Sequence, residues 1–366
     1  MDNTKIIKPY VVCIPTYKRY KLVLQQTLKT LFLNNISSNL VYLFVANENE
    51  KKKYKSVINN YLINNSINKN INKNINRKSK KKNKKLLKNK KLLKNKKTLK
   101  RFNKISNTNH YNNSNINNYN SNYSNSNNSN NYNNNNSNNN NFNNKKLIVQ
   151  KNKFNKYIKN INIVVGFKGL KNQRNYISQY FSNNQKILQL DDDIKDILKL
   201  KYDVSDPKNR KKYSLHSIKN LHKFIVNAFN TCINNNIYLW GIYPVNNAYF
   251  MKPDKSFNLK FIVGPMFGII NRKNKNLKLT VDEKENVERT LQYYNLDKKV
   301  LRFNNITIKT TYFKTPGGMQ SNKRNDKQRM KNALKSAEYL HKKYPHMTKI
   351  YLGKKSGWPE LKLKNF

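Results

Sequence analysis

An internal segment too poor in apolar side chains to fold on its own is the strongest constraint on this chain. Residues 63–144 contain Ile-Asn-Lys-Asn repeats, a Lys-Lys-Leu-Leu-Lys-Asn tandem at 84–95, and a tract at 105–144 that is more than half asparagine. Burying its few hydrophobic residues does not offset the entropy of ordering it. The expectation is a disordered Lys/Asn-rich insertion in a surface loop, with the basic tandem solvated or transiently helical on an anionic surface. It divides the foldable chain into residues 1–62 and 145–366, and excising it restores a connection of ordinary length.

The flanking segments carry regular hydrophobic patterns. Tyr10 to Ile14 is a short apolar run stopped by Pro15, and Leu24, Leu28, Leu31 and Phe32 recur at helical spacing. Leu40 to Ala46 has the composition of a strand, and Lys51 to Leu62 of a helix. After the insertion come a strand ending at Gly166, a helix over 171–181 and an apolar run at 186–190. Strands alternating with helices predict an α/β fold built on a mostly parallel sheet covered on both faces.

Beyond residue 200 the pattern changes to a mixed α+β half. Leu215, Ile218, Leu221, Ile225, Phe229 and Ile233 predict one long amphipathic helix. Residues 237–245, 261–270 and 300–308 read as strands, 282–294 as a helix, and Met330 through Leu340 as a final helix.

Charge narrows the possible partners. The chain has 74 Lys+Arg against 18 Asp+Glu, a net charge of +56. Subtracting the 18 basic residues of 63–144 from +56 leaves +38, so the foldable part is basic in its own right. That balance favours a polyanion such as DNA or RNA. Heavy use of Asn, Lys and Ile also fits an AT-rich genome, which adds lysine without function. Cys13 and Cys232 lie far apart with no zinc-type spacing and read as buried reduced thiols. No signal-peptide layout or membrane-length apolar run is present, so a soluble intracellular location, cytoplasmic or nuclear, is expected.

Against this background the acids are placed oddly. None occurs between Glu50 and Asp191, and then Asp191, Asp192 and Asp193 arrive together at the end of the 186–190 strand. At 18 acids in 366 residues, chance supplies roughly 0.04 such triplets, so the cluster calls for a chemical explanation. Adjacent carboxylates at the carboxyl end of a strand suit a hard divalent cation, Mn²⁺ or Mg²⁺, that bridges to a phosphate. The competing reading is a helix N-cap, since Asp before Ile194-Lys195-Asp196-Ile197 is a good helix opener.

Several of these segments together resemble a known fold. Val12-Cys13-Ile14-Pro15-Thr16-Tyr17-Lys18-Arg19 resembles the opening strand and nucleotide loop of GT-A glycosyltransferases. Gly166 to Asn175, with Gln173-Arg174-Asn175, followed by Leu190-Asp191-Asp192-Asp193, resembles their second signature. Trp240 to Pro244, the acidic stretch Asp282–Glu288, Gly317-Gly318-Met319 and Lys343-Tyr344-Pro345 resemble more narrowly the TET/JBP-associated glycosyltransferases. The likeness covers residues 10–62 and 160–360.

The resemblance implies a Rossmann-like nucleotide-diphospho-sugar transferase fold. The implied activity moves a glycosyl group from a nucleotide-diphosphate sugar to a hydroxymethylated pyrimidine in DNA. Pro15, Thr16, Tyr17 and Arg19 would line the base and ribose, or simply connect strand to helix. Arg174 would pair with the diphosphate, or be an ordinary solvated helix charge. Asp191 or Asp192 would face the ribose, and Asp193, with Asp191 as a further candidate, would bind the metal.

A base is expected in the Asp282-Glu283-Lys284-Glu285 segment, where Asn286 replaces the usual acidic neighbour. Glu285 and then Asp282 are the candidates, although their spacing also fits a capping box. Trp240 or Tyr243 is a candidate to stack on a flipped base, with a core position as the alternative for Trp240. Rival readings are a transferase for protein or glycan acceptors, a nucleotidyltransferase, and an inactive GT-A-like nucleic-acid-binding protein.

Overall fold

The computed structural model describes residues 8–62, 149–150, 152–206, 208–311, 317–318, 326–353 and 357–364. The expected insertion at 63–144 lies outside the described residues. Residues 1–58 and 153–366 form one compact unit and residues 59–152 a second. The first unit carries all the strands among the described residues.

This unit is an α/β structure centred on an eight-stranded sheet. Its strands are β1 (Val11–Pro15), β2 (Val41–Val45), β3 (Asn162–Val165), β4 (Lys186–Leu190), β7 (Leu239–Ile242), β8 (Lys255–Ser256), β9 (Met266–Ile270) and β10 (Leu301–Phe303). They lie side by side in the order β3-β2-β1-β4-β9-β7-β10-β8. Neighbours from β3 to β4 are parallel, whereas β9 runs antiparallel to both β4 and β7. The expected mostly parallel sheet is therefore parallel in its first half and mixed in its second. Every residue of β1 is buried, as is usual for a parallel strand covered on both faces.

A three-stranded antiparallel sheet, β11-β5-β6, stands beside the first. It contains β5 (Ile194–Lys201), β6 (Ser214–Ser217) and β11 (Ile306–Thr310). The alternating burial of β5 marks one packed and one solvated face. A hairpin of β12 (Thr348–Tyr351) and β13 (Glu360–Leu363) closes the chain.

The helices begin with α1, which is α-helical over Tyr20–Val23, π-helical over Leu24–Leu28 and α-helical again over Lys29–Leu33. Residues 48–62 form α2 and 152–159 form α3. The others are α4 (Leu170–Tyr180), α5 (Leu221–Asn234), α6 (Glu285–Asp297) and α7 (Asp326–Lys343). No helix among the described residues is long and apolar enough to cross a membrane.

Three sequence expectations give way here. The helix predicted from Leu215 starts only at Leu221, because the Asn220 side chain accepts the Lys223 N–H and caps it. Leu215 lies instead in β6, and Ile233 is half exposed on α5. The single strand expected over 300–308 is two, broken at Asn304-Asn305, and its halves enter different sheets. Residues after the aspartates form strand β5, so the triplet does not cap a helix.

One face of the main sheet packs Val11, Cys13, Phe44, Ile187 and Phe267 against Ile177 and Phe181. Trp240 belongs to the core, not to a surface that stacks on bases. It is fully buried and meets Phe224, Phe229 and Phe303 edge-on, with centroids at 5.7, 5.5 and 5.9 Å. Tyr243 is half-buried, with the Arg302 guanidinium 5.4 Å from its ring centre. Cys13 and Cys232 are free and buried.

Gly268 on β9 lies flat beneath Trp240, and a Cβ there would collide with the indole nitrogen edge. Gly268→Ala is expected to destabilise the protein by about 1–3 kcal/mol through overpacking. Urea unfolding checks this by a lower midpoint at unchanged slope.

Candidate functional site

The chain builds β1, β2 and β3 outward in one direction, then returns to place β4 on the other side of β1. Open α/β sheets bind ligands in the crevice that such a reversal of strand order leaves outside the carboxyl ends of its strands, here β1 and β4. Pro15 ends β1 and Leu190 ends β4. The Thr16–Arg19 loop and the Asp191–Asp193 triplet therefore face each other across the switch point. Pro15 itself is a buried strand residue paired with Phe44, so it shapes the loop without lining it.

Asp192 is the most fully engaged carboxylate of the triplet. Its Oδ2 accepts from Thr16 Oγ1 at 2.7 Å and its Oδ1 from Arg19 Nη1 at 2.8 Å. Tyr54 on α2 sits 2.6 Å from Thr16 Oγ1, so its hydroxyl donates into the chain that ends on Asp192. Buried Glu50 fixes the loop from the other side, accepting from Lys18 N at 3.0 Å and Tyr20 OH at 2.6 Å. Lys18 adopts a left-handed backbone with φ of 55°. Tyr17 is half-buried, with the ammonium groups of Lys18 and Lys168 at 5.3 and 5.7 Å from its ring centre.

Arg174 on α4 ties the triplet to a second carboxylate. Its side chain is 3 % exposed; Nη2 donates to Asp191 Oδ1 at 3.3 Å and Gly264 O at 3.2 Å, and Nη1 to Glu285 Oε1 at 3.0 Å. The solvated-charge reading of Arg174 is thereby replaced by a buried, three-way contact. Glu285 is buried in the first turn of α6, where a carboxylate also complements the helix dipole. Asp282 is separated from this group: its side chain is 70 % exposed and pairs with Lys171 at 3.2 Å. The capping box expected of Asp282 and Glu285 does not form, because Lys284 occupies the cap position in a left-handed conformation without a side-chain cap bond.

Arg289, one turn beyond Glu285, is also buried, and its guanidinium lies 3.5 Å from the centre of the Phe267 ring. Its three nitrogens have no hydrogen-bond partner among the described residues. Burial first, and then the neighbouring Arg174 charge, push its pKa down to about 9.

Two threonines on α1 hold the backbone of the triplet. Thr27 Oγ1 donates to Asp191 O at 2.8 Å and accepts from Ile194 N at 2.9 Å. Thr30 Oγ1 reaches Lys195 O at 3.0 Å. Thr27 lies in the π-helical turn, a distortion often found at functional sites. Gly317 and Gly318 close on the facing loop: Gly318 N donates to Tyr17 O at 2.8 Å, and a Cβ on Gly318 would stand 3.0 Å from Arg19 Cζ. Both glycines have positive φ, 88° and 103°, a backbone that glycine adopts without strain. Met319 lies outside the described residues.

Sequence reasoning missed Glu50, Tyr54, Thr27 and Glu288. Glu50 had a signal, being the last acid before the acid-free stretch, with Tyr54 one helical turn on. Thr27 had none, since a threonine among helical leucines looks ordinary. Glu288 is fully buried and accepts from Thr280 N and Val281 N at 2.8 and 3.0 Å, fixing the turn that leads into α6. Of the histidines, His222 bonds Tyr10 and His341 bonds Thr348.

Burial raises the proton affinity of all three aspartates. Asp191 is pushed up to about 7, chiefly by desolvation and against the pull of Arg174. Asp192 and Asp193 also rise through burial, with Arg19 opposing the shift in both. Asp193 meets Arg19 Nη1 only at 3.9 Å, beyond hydrogen-bond reach. No three acidic, histidine or cysteine side chains converge into a ready-made metal cage among the described residues. Asp193 nevertheless fits a cation as a buried, under-compensated oxygen donor, with Asp191 as its neighbour. Asp192 is the less available donor, since each of its oxygens already accepts a hydrogen bond, from Thr16 and from Arg19. No family model, curated protein or solved structure matches the chain.

Two measurements test this geometry. A carboxylate whose pKa is raised on folding stabilises the folded state below its unfolded value, and that contribution is lost as pH rises through the folded pKa, here about 7. The same rise in pH frees oxygen for a cation. The increase in thermal midpoint on adding Mn²⁺ is therefore expected to be larger at pH 8 than at pH 6, read by differential scanning fluorimetry. Thr27→Val removes the two Thr27 side-chain bonds, to Asp191 O and from Ile194 N, and is expected to cost about 1–3 kcal/mol, checked by denaturant unfolding.

Proposed function

We propose that this chain is a metal-dependent glycosyltransferase of GT-A type. In this reading it moves a glycosyl group from a nucleotide-diphosphate sugar to an acceptor hydroxyl, that of a hydroxymethylated pyrimidine in DNA. The single observation that carries the reading is the meeting of the Thr16–Arg19 loop with Asp191–Asp193 at the switch point between β1 and β4. The β3-β2-β1-β4 order is also that of a Rossmann-like nucleotide-binding half. The net charge of +56 supports a nucleic-acid acceptor.

Asp193 and Asp191 are the proposed ligands of Mn²⁺ or Mg²⁺, which when bound would neutralise the leaving diphosphate. Asp192 keeps Arg19 and Thr16 in place, and Tyr17 offers a half-buried ring for the base. Arg174 lies between Asp191 and Glu285, so one guanidinium sets the spacing between donor and acceptor sides. Pairing with the diphosphate would require it to give up one of its bonds to Asp191, Glu285 and Gly264 O. Glu285 is the proposed acceptor of the proton released by the attacking hydroxyl. Asp282, solvated beside Lys171, is left out of the chemistry.

One observation favours a second reading, an inactive GT-A-like protein that binds nucleic acid. Asp192 is already neutralised, and the remaining aspartates do not converge into a cage. Incubation with Mn²⁺, a panel of nucleotide sugars, and DNA with or without hydroxymethylpyrimidines separates the two. The transferase reading expects a mass gain on modified DNA, reduced about 10²–10³-fold in Asp193→Ala. DNA binding without mass gain or nucleotide release from any donor would establish the inactive binder.

A further inference from the structure

Beside the carboxyl-terminal half of α4, the chain leaving β9 forms a groove of about 340 Å³. Asn175, Ser178 and Gln179 line one wall, and Lys273, Lys275 and Lys278 the other. Among the described residues, no acidic one lines it. Arg272 is present but already engaged, because Asp297 accepts both ends of its guanidinium at 2.8 and 2.7 Å. The three lysines are exposed and have no ion-pair partner among the described residues.

The loop that carries them is held at both ends. Buried Asn271 donates to Ser178 O, Phe181 O and Ser182 O at 2.9, 3.0 and 2.9 Å, binding the start of the loop to the end of α4. Asn175 pins its far end, donating to Leu279 O and accepting from Leu279 N, both at 2.9 Å. Arg272 adds a stacking contact, 3.8 Å from the centre of the Tyr238 ring. Three like charges are thus kept within six residues by buried polar bonds, although their mutual repulsion favours splaying them apart.

We infer that this groove is the seat of the phosphodiester backbone of duplex DNA. Lysines are mobile point charges, suited to sequence-independent backbone contact. Among the described residues that line the groove, the one guanidinium is closed by Asp297, which leaves no bidentate fork for a small phosphate ligand. The groove opens toward the amino end of β4, where Ile270 pairs with Lys186. Leu190 and the triplet lie about 13 Å along the strand from there, a separation that about four base pairs of duplex span. The inference deepens the DNA-acceptor reading proposed above and leaves the donor side untouched.

The test is fluorescence anisotropy of a labelled duplex over a KCl series, using the full chain. The triple variant Lys273→Gln/Lys275→Gln/Lys278→Gln is compared with a charge-matched control, Lys52→Gln/Lys53→Gln/Lys55→Gln, on the exposed face of α2. Each lost phosphate contact lowers the salt slope by about 0.9. The groove variant is expected to lose roughly 2.7 units of slope and about 10²-fold in affinity near 0.15 M salt. The control is expected to change affinity less than about threefold.

Equal losses in both variants, or none in the groove variant, would overturn the assignment. A loss confined to heparin, with duplex binding intact, would also overturn it and reassign the groove to other polyanions. Mn²⁺-dependent release of nucleotide from the donor panel serves as the separate readout. Its absence in wild-type protein would sink the transferase reading while leaving the groove result standing.

Discussion

Three consecutive carboxylates at a buried strand end repel one another, and the fold places two guanidiniums against them. Arg19 comes from the loop after β1 and Arg174 from the helix before β4. Because each arginine belongs to a different segment, neutralising the triplet also fixes the Thr16–Arg19 loop, α4 and, through Glu285, α6. Removing one partner of a buried pair leaves an uncompensated charge, at a cost on the order of 3–5 kcal/mol. The compensation is also uneven. Asp192 is saturated, Asp191 shared and Asp193 nearly bare, and this gradient gives three identical residues different chemistry.

The buried charge extends beyond the triplet. Arg289 lies without a hydrogen-bond partner among the described residues, one turn along α6 from Glu285. Its cost is eased by the face of Phe267, which stabilises a desolvated cation by about 2 kcal/mol or more. The cluster therefore sets a buried cation without a hydrogen-bond partner beside carboxylates that are themselves unevenly compensated.

Much of the site was legible because its chemistry uses rare letters. In a chain with so few acids, Asp191–Asp193 could not be missed, and Arg174 stood on the helix preceding them. The first-half strands were legible because parallel strands buried on both faces are continuous apolar runs. Beyond residue 200 the sequence misled. Leu215 and Ile218 keep helical spacing with Leu221, yet the Asn220 cap cuts the pattern, a local bond that periodicity does not register. The break at Asn304-Asn305 was hidden for a similar reason, since both flanking runs are apolar although they serve different sheets. Glu285 and then Asp282 were the candidates, and only tertiary packing sends the first into the protein and the second to the surface.

The reversed direction of β9 has a consequence for how such a crevice can be assembled. A rim made only of parallel strands receives nothing but outgoing chain, and each new wall requires another helical crossover. An inverted strand instead delivers incoming chain to the same rim, so Gly264 and Pro265 arrive with bare carbonyls for Arg174 and for the Asp191 amide. The third wall is thus main chain with no side-chain signature, free to vary in sequence wherever its path is kept.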